Sequence, residues 1–313
     1  MSSVRVRNIV FLLLALLMGR EEIYAQTYPG FSQYLVNGMV INPAYAGSRG
    51  TMSALLSMRK QWSGVEGAPV FQTVSVHAPM KNDRVALGLL YNRQTYGVTE
   101  MQNIYGVYAY HIHIGRNSRL AFGIQGGVDI NNSNFAGVPT ALPNDPAFTE
   151  GVDLRILPNV GAGVYLYNND FFMGLSIPAF LSYRESGTPS SLKVYHSVQN
   201  YDMLLLTGGL ITFTESFRFK PSILLKYSLT KPLEVDVNGN FIIADFIWLG
   251  ASYRMAEESL IGILEIQATQ QIKLGYSYDY QLGNLGSFSK GTHEFLMRFE
   301  FGYRVSAASP RYF

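Results

Sequence analysis

Between Leu120 and Ile130 the residues alternate: Leu120, Phe122, Ile124, Gly126, Val128 and Ile130 fall on one side, Ala121, Gly123, Gln125, Gly127 and Asp129 on the other. A period of two puts neighbours on opposite faces of a β-strand, so one face is apolar and the other small or polar. The pattern returns from His293 to Val305, where Phe295, Met297, Phe299, Phe301 and Tyr303 oppose Glu294, Arg298, Glu300, Gly302 and Arg304. It returns again where Ile272, Leu274, Tyr276, Tyr278 and Tyr280 oppose Lys273, Gly275, Ser277 and Asp279. Long apolar strand faces need a cover, either a second sheet or lipid.

Strand patterns run at Thr51 to Trp62, Val70 to Ala78, Val85 to Arg93, Met101 to Ile114, Leu120 to Ile130, Asn159 to Tyr167 and Phe171 to Leu181. They continue at Asp202 to Phe213, Phe217 to Tyr227, Leu233 to Ile243, Phe246 to Arg254, Ser259 to Ala268, Gln271 to Tyr280 and His293 to Val305. Most approach the roughly 9–11 residues of a tilted bilayer-crossing strand, longer than soluble strands usually are. The three longest connections, Asn131 to Pro158, Ser182 to Tyr201 and Gln281 to Thr292, fall on one end if the first strand runs outward. Long and short connections are expected to alternate strictly after the fifth strand, as outer loops and periplasmic turns do in an outer-membrane barrel. A soluble sandwich has no cause to sort its loops in this way. The sequence therefore predicts an all-β, antiparallel transmembrane β-barrel of about fourteen strands in the cell outer membrane. Trp62, Tyr91, Tyr110, Tyr167, Tyr183, Tyr227 and Tyr280 are expected to form its interfacial girdles.

The rest of the composition fits. Of 313 residues, 15% are charged and none is Cys, which excludes a disulfide scaffold and a lipid anchor on cysteine. Basic clusters are missing, so nucleic acid is not an expected partner. Arg5 and Arg7, the apolar run Ile9 to Met18 and the small residue Ala25 read as a secretory signal peptide over residues 1–25. Residues 26–50 then form a periplasmic entry segment, and 51–313 the barrel. Within the entry segment, Asn42-Pro43 and Gly47 break regular structure. Its aromatics pack either into the lower mouth of the barrel or against a partner.

Inward charges are predicted in opposite signs on adjacent strands: Arg218, Lys220 and Lys226 against Glu234 and Asp236, with Arg298 and Glu300 among those near the end of the chain. Two readings apply, a compensated lattice and a selective pore; the balance of signs favours the lattice. Chemistry has little foothold. Ser75 and His77 share a strand face, as do His111 and His113, but no hydrolase elbow or zinc-binding helix motif accompanies them. Neither a metal nor a cofactor is expected. Glycines from Gly123 to Gly127 lie within a strand, where they let wall residues pack or a plug approach closely.

Several segments in order resemble the PorP/SprF family of outer-membrane proteins: FSQYLVNGMVINPAYAGS at Phe31 to Ser48, RKQWSGVEGAPVFQTVSVHAP at Arg59 to Pro79 and VYAYHIHIG at Val107 to Gly115. The resemblance continues through FRFKPSILLKY at Phe217 to Tyr227, WLGASYR at Trp248 to Arg254, GYSYDYQLGNL at Gly275 to Leu285, GTHEFLMRFEF at Gly291 to Phe301 and the closing PRYF. It implies a non-enzymatic barrel of the type IX secretion system or gliding machinery that aids export or surface attachment of large adhesins. It also implies contacts with periplasmic ring or peptidoglycan-binding components. Phe31, Gln33, Tyr34, Asn42, Pro43 and Ala44 match the family's entry motif, which marks them as expected partner-binding residues. Pro69 and Phe71 depart from it, since Val70 separates them. A passive porin or small-molecule transporter is the alternative, and an outer-membrane enzyme a third reading.

Overall fold

The computed structural model describes residues 32–115, 117–134, 152–185, 192–195 and 201–301. The predicted signal peptide and its cleavage point lie outside them. Seven strands lead the chain: β1 (Met52–Lys60), β2 (Val70–Pro79), β3 (Val85–Tyr96), β4 (Thr99–Ile114), β5 (Ser118–Asn134), β6 (Val152–Tyr167) and β7 (Phe171–Ile177). A separate hairpin, β8 (Ser182–Glu185) and β9 (Leu192–Tyr195), follows. The wall resumes with β10 (Met203–Gly209), β11 (Ile211–Thr214), β12 (Phe217–Ser228), β13 (Lys231–Ile243) and β14 (Ile247–Arg254). It ends with β15 (Ser259–Gln267), β16 (Ile272–Gln281) and β17 (Thr292–Phe301).

Neighbours pair antiparallel, and two joints close the ring. At one, β1 meets β17 with Met52 opposite Phe301 and Lys60 opposite His293. At the other, β10 bridges β7 and β12. Because β10 and β11 are two halves of one interrupted strand, the wall is a closed barrel of fourteen antiparallel strands. Closure removes every free edge, as a wall facing lipid requires.

Alternation sets the two faces. On β5, Phe122 and Ile124 point outward with 45% and 60% of their surface exposed, while Ala121 and Gln125 are buried inside. The outward residues of β17 include Phe295, Met297 and Phe301, and its inward ones include Glu294, Leu296 and Arg298. This exposed apolar surface is what a bilayer covers.

Four sequence expectations need correction. Tyr167 is 7% exposed, faces the lumen and bonds His111, so it belongs to no girdle. By contrast Tyr110, Tyr227 and Tyr280 do face outward. The strand expected from Phe171 to Leu181 stops at Ile177, where Pro178 supplies no backbone donor. The strand expected from Asp202 to Phe213 is interrupted at Leu210, although the Leu210 N–H continues the ladder toward β7 onto the Asp170 carbonyl at 2.7 Å and both halves keep one register on β12. Loop lengths do not alternate strictly either: β12 and β13 meet through the tight turn Leu229–Thr230 at the end that carries the long connections. The three longest connections still share that end, which is therefore the outer one.

Candidate functional site

The lumen is occupied by the chain's own residues 32–48, nearly all of them buried. One turn of helix, α1 (Gly38–Ile41), precedes a 3-10 turn at Pro43–Tyr45. Asn42 separates the two, and its side-chain oxygen accepts from Ala44 N at 2.9 Å, the capping bond that starts the second turn. Pro43 follows at the first position of that turn, where its missing N–H costs nothing.

Polar contacts hold this plug at both ends. Near the outer mouth, Ser32 N donates to Glu294 Oε2 at 2.8 Å, and Ser32 Oγ donates to Asp279 at 2.8–2.9 Å. Arg59 locks the three together, reaching Ser32 Oγ at 2.6 Å, Asp279 Oδ2 at 2.7 Å and Glu294 Oε2 at 3.4 Å. Toward the periplasmic mouth, Gly47 N donates to His77 Nδ1 at 3.1 Å and His111 Nε2 meets the Ala46 carbonyl at 2.8 Å. Arg49 closes that end through Glu300 at 2.6 Å. Midway, Ser75 Oγ donates to Asn37 Oδ1 at 3.1 Å, Asn42 Nδ2 to the Val164 carbonyl at 3.0 Å and Ser176 Oγ to the Ile41 carbonyl at 2.5 Å.

Apolar contact fills the space between. Met39, Val40, Ile41, Ala44 and Tyr45 share one core with wall residues that include Leu90, Tyr105, Tyr165 and Phe172. Inward glycines make room for them. A Cβ on Gly123 would fall on the Ala44 backbone, and one on Gly163 would strike the Asn42 side chain. Gly123 of β5 thus admits the plug, while Gly127 lies against the backbone of β4 at Ile104 and Tyr105, so the two roles suggested for these glycines fall on different positions.

The partner-binding expectations can now be located. Gln33, Tyr34, Asn42, Pro43 and Ala44 are all buried within the lumen, and Phe31 lies outside the described residues. None of the five faces a surface that a partner reaches while the plug is seated. Nor is the described part of the entry segment at the periplasmic side: it runs from the outer mouth to the lower ends of β2 and β3. Ser75 and His77, weighed as a hydrolytic pair, each bond the plug.

The inward charges form a compensated lattice. Lys226 pairs with Glu234 at 3.2 Å and lies 4.0 Å from Asp236; Arg298 and Arg49 flank Glu300 at 3.2 and 2.6 Å. Arg218 lies apart, at the periplasmic end, bonded to Asp245 of the β13–β14 turn. Lys220 is opposite Asn240, not a carboxylate, and its Nζ stands 5.5 Å from the Phe172 ring centre. Sequence reasoning missed Arg59, Arg254 and Glu265. Arg254 binds Asp236 at 3.2 Å and Glu257 at 3.0 Å, while Glu265 binds Lys273 at 2.8 Å. For Arg59 and Arg254 the signal was parity, since each falls in step with the mostly small and polar positions of its own strand, whereas Glu265 shares its inward face with Ile261 and Ile263 and carried no such signal.

A closed barrel with an apolar outer wall, a polar inner wall and a lumen filled by its own N-terminal segment is an outer-membrane protein of the plugged type. More particularly, the family described as "Type IX secretion system membrane protein PorP/SprF" matches residues 23–299, and the chain belongs to that family. It is thus an outer-membrane component of that secretion system. No curated protein sequence matches the chain. Among solved structures, the CymD monoaromatic hydrocarbon channel is similar at a TM-score of 0.50 and 12% identity, over 90% of this chain and 95% of that one. A Pseudomonas aeruginosa FadL homologue aligns at 0.46 and 11%, over 88% and 95% of the two chains. The Acinetobacter baumannii outer membrane protein Omp33 aligns at 0.46 and 8%, over 80% and 98%. At such identity the likeness to CymD is one of fold.

Proposed function

We propose that this barrel serves type IX secretion or gliding by docking protein partners and gating through its plug, without chemistry of its own. The partners are a large exported adhesin at the outer mouth and periplasmic ring or peptidoglycan-binding components below. The observation that carries the reading is the seated segment 32–48. It closes the lumen through hydrogen bonds, ion pairs and apolar contact, all of which a partner can exchange for its own. An open porin has no use for such a segment.

Co-purification from native outer membranes tests the proposal. Tagged barrel should retain secretion-machinery proteins, and a variant lacking residues 32–44 should insert but lose them. Unchanged co-purification by an inserted, folded deletion variant would refute a docking role for the segment. A hydrolase would instead lose activity in Ser75→Ala with the plug still seated.

A further inference from the structure

The outer wall is not uniform. Where β16, β17 and β1 run side by side, outward side chains leave a groove of about 650 Å³. Strand register arranges its lining in two rows. Met58, Phe295 and Tyr276 stand opposite one another in the upper row, and Leu56, Met297 and Leu274 in the lower. All six belong to the outward, bilayer-facing set of their strands.

The next outward row toward the outer mouth changes character. It consists of Lys60, His293 and Tyr278, again directly opposite one another. Two residues of strand advance about 7 Å, so a cation sits that far above an apolar groove. Lys60 is exposed and makes no ion pair with any described residue, whereas nearby outward Arg93 is held by Glu100 at 2.7 Å. Tyr276 Oη and His293 Nδ1 lie 2.8 Å apart, which fixes the imidazole ring beside Lys60.

Apolar below and cationic above, at the outer end of membrane-spanning strands, is the profile of one amphiphile. We infer that this groove binds an outer-leaflet lipid, with an acyl chain against Leu56, Met58, Phe295 and Met297 and a headgroup phosphate on Lys60. Bulk lipid touches the whole wall; this site differs in combining concavity with an uncompensated cation at headgroup height.

The test uses the full-length barrel, stripped of lipid in detergent and titrated with diphosphoryl lipid A or with diacylglycerol, which lacks phosphate. Native mass spectrometry reads the lipid retained. Wild type should hold about one lipid A per barrel and little diacylglycerol. Lys60→Ala should weaken lipid A retention about fivefold, and Met58→Trp, which fills the groove, should weaken it as well. Heat-shift electrophoresis confirms that each variant is folded. The inference is overturned if both folded variants retain lipid A like wild type, or if diacylglycerol is held equally well. It is also overturned if the groove proves to be covered by a second copy, seen as a dimer that Met58→Trp dissolves.

Discussion

Arg59 shows how much one side chain carries here. It is 1% exposed, and it bonds Ser32 at the start of the plug together with the two carboxylates, on adjacent strands, that Ser32 also contacts. Removing one partner of a buried ion pair typically costs about 3–5 kcal/mol, because the other charge stays buried without compensation. Arg59→Ala should therefore destabilise the barrel by about 3–5 kcal/mol in urea unfolding, with Arg59→Lys recovering part of the loss. An unfolding midpoint unchanged by Arg59→Ala would show that the latch contributes nothing. The residue was readable as inward from its parity on β1, but its partners were not. Asp279 and Glu294 lie more than two hundred positions away, and only closure of β17 onto β1 brings them together.

Among elements, the plug and the wall of β5 and β6 are fitted to each other. Gly123→Val should push Ala44 out of its seat, since the added atoms meet backbone that cannot rotate away. A cysteine placed at position 44 should then become reactive to a water-soluble thiol reagent. Gly262→Ala is the control, as its Cβ points outward with nothing within 4 Å. Equal protection of position 44 in both variants would contradict the fit. Strands such as β5, β16 and β17 were legible because lipid outside and a packed lumen inside sharpen the period of two. Their ends were less so. Nothing local to Leu210 marks an interruption there, and the added ends of β4 and β5, residues 99–100 and 131–134, are polar throughout and carry no alternation.

At the scale of the whole molecule, barrel, membrane and family were all visible in repeated strands and ordered motifs, whereas the route of residues 32–48 was not. Asn42-Pro43 and Gly47 mark turns, and turns are equally at home in a lumen or in the periplasm. What separates the two is long-range: Ser32 bonded near the outer mouth, Gly47 near the lower one, and a row of inward glycines between. The docking proposal depends on this arrangement, whereas lipid binding depends only on the outer face of the wall. Conductance in planar bilayers tests it most directly. Purified wild-type barrel should be electrically silent, and the variant lacking residues 32–44 should give stable open channels. Stable conductance by wild type, equal to that of the deletion, would contradict a lumen sealed by its own chain.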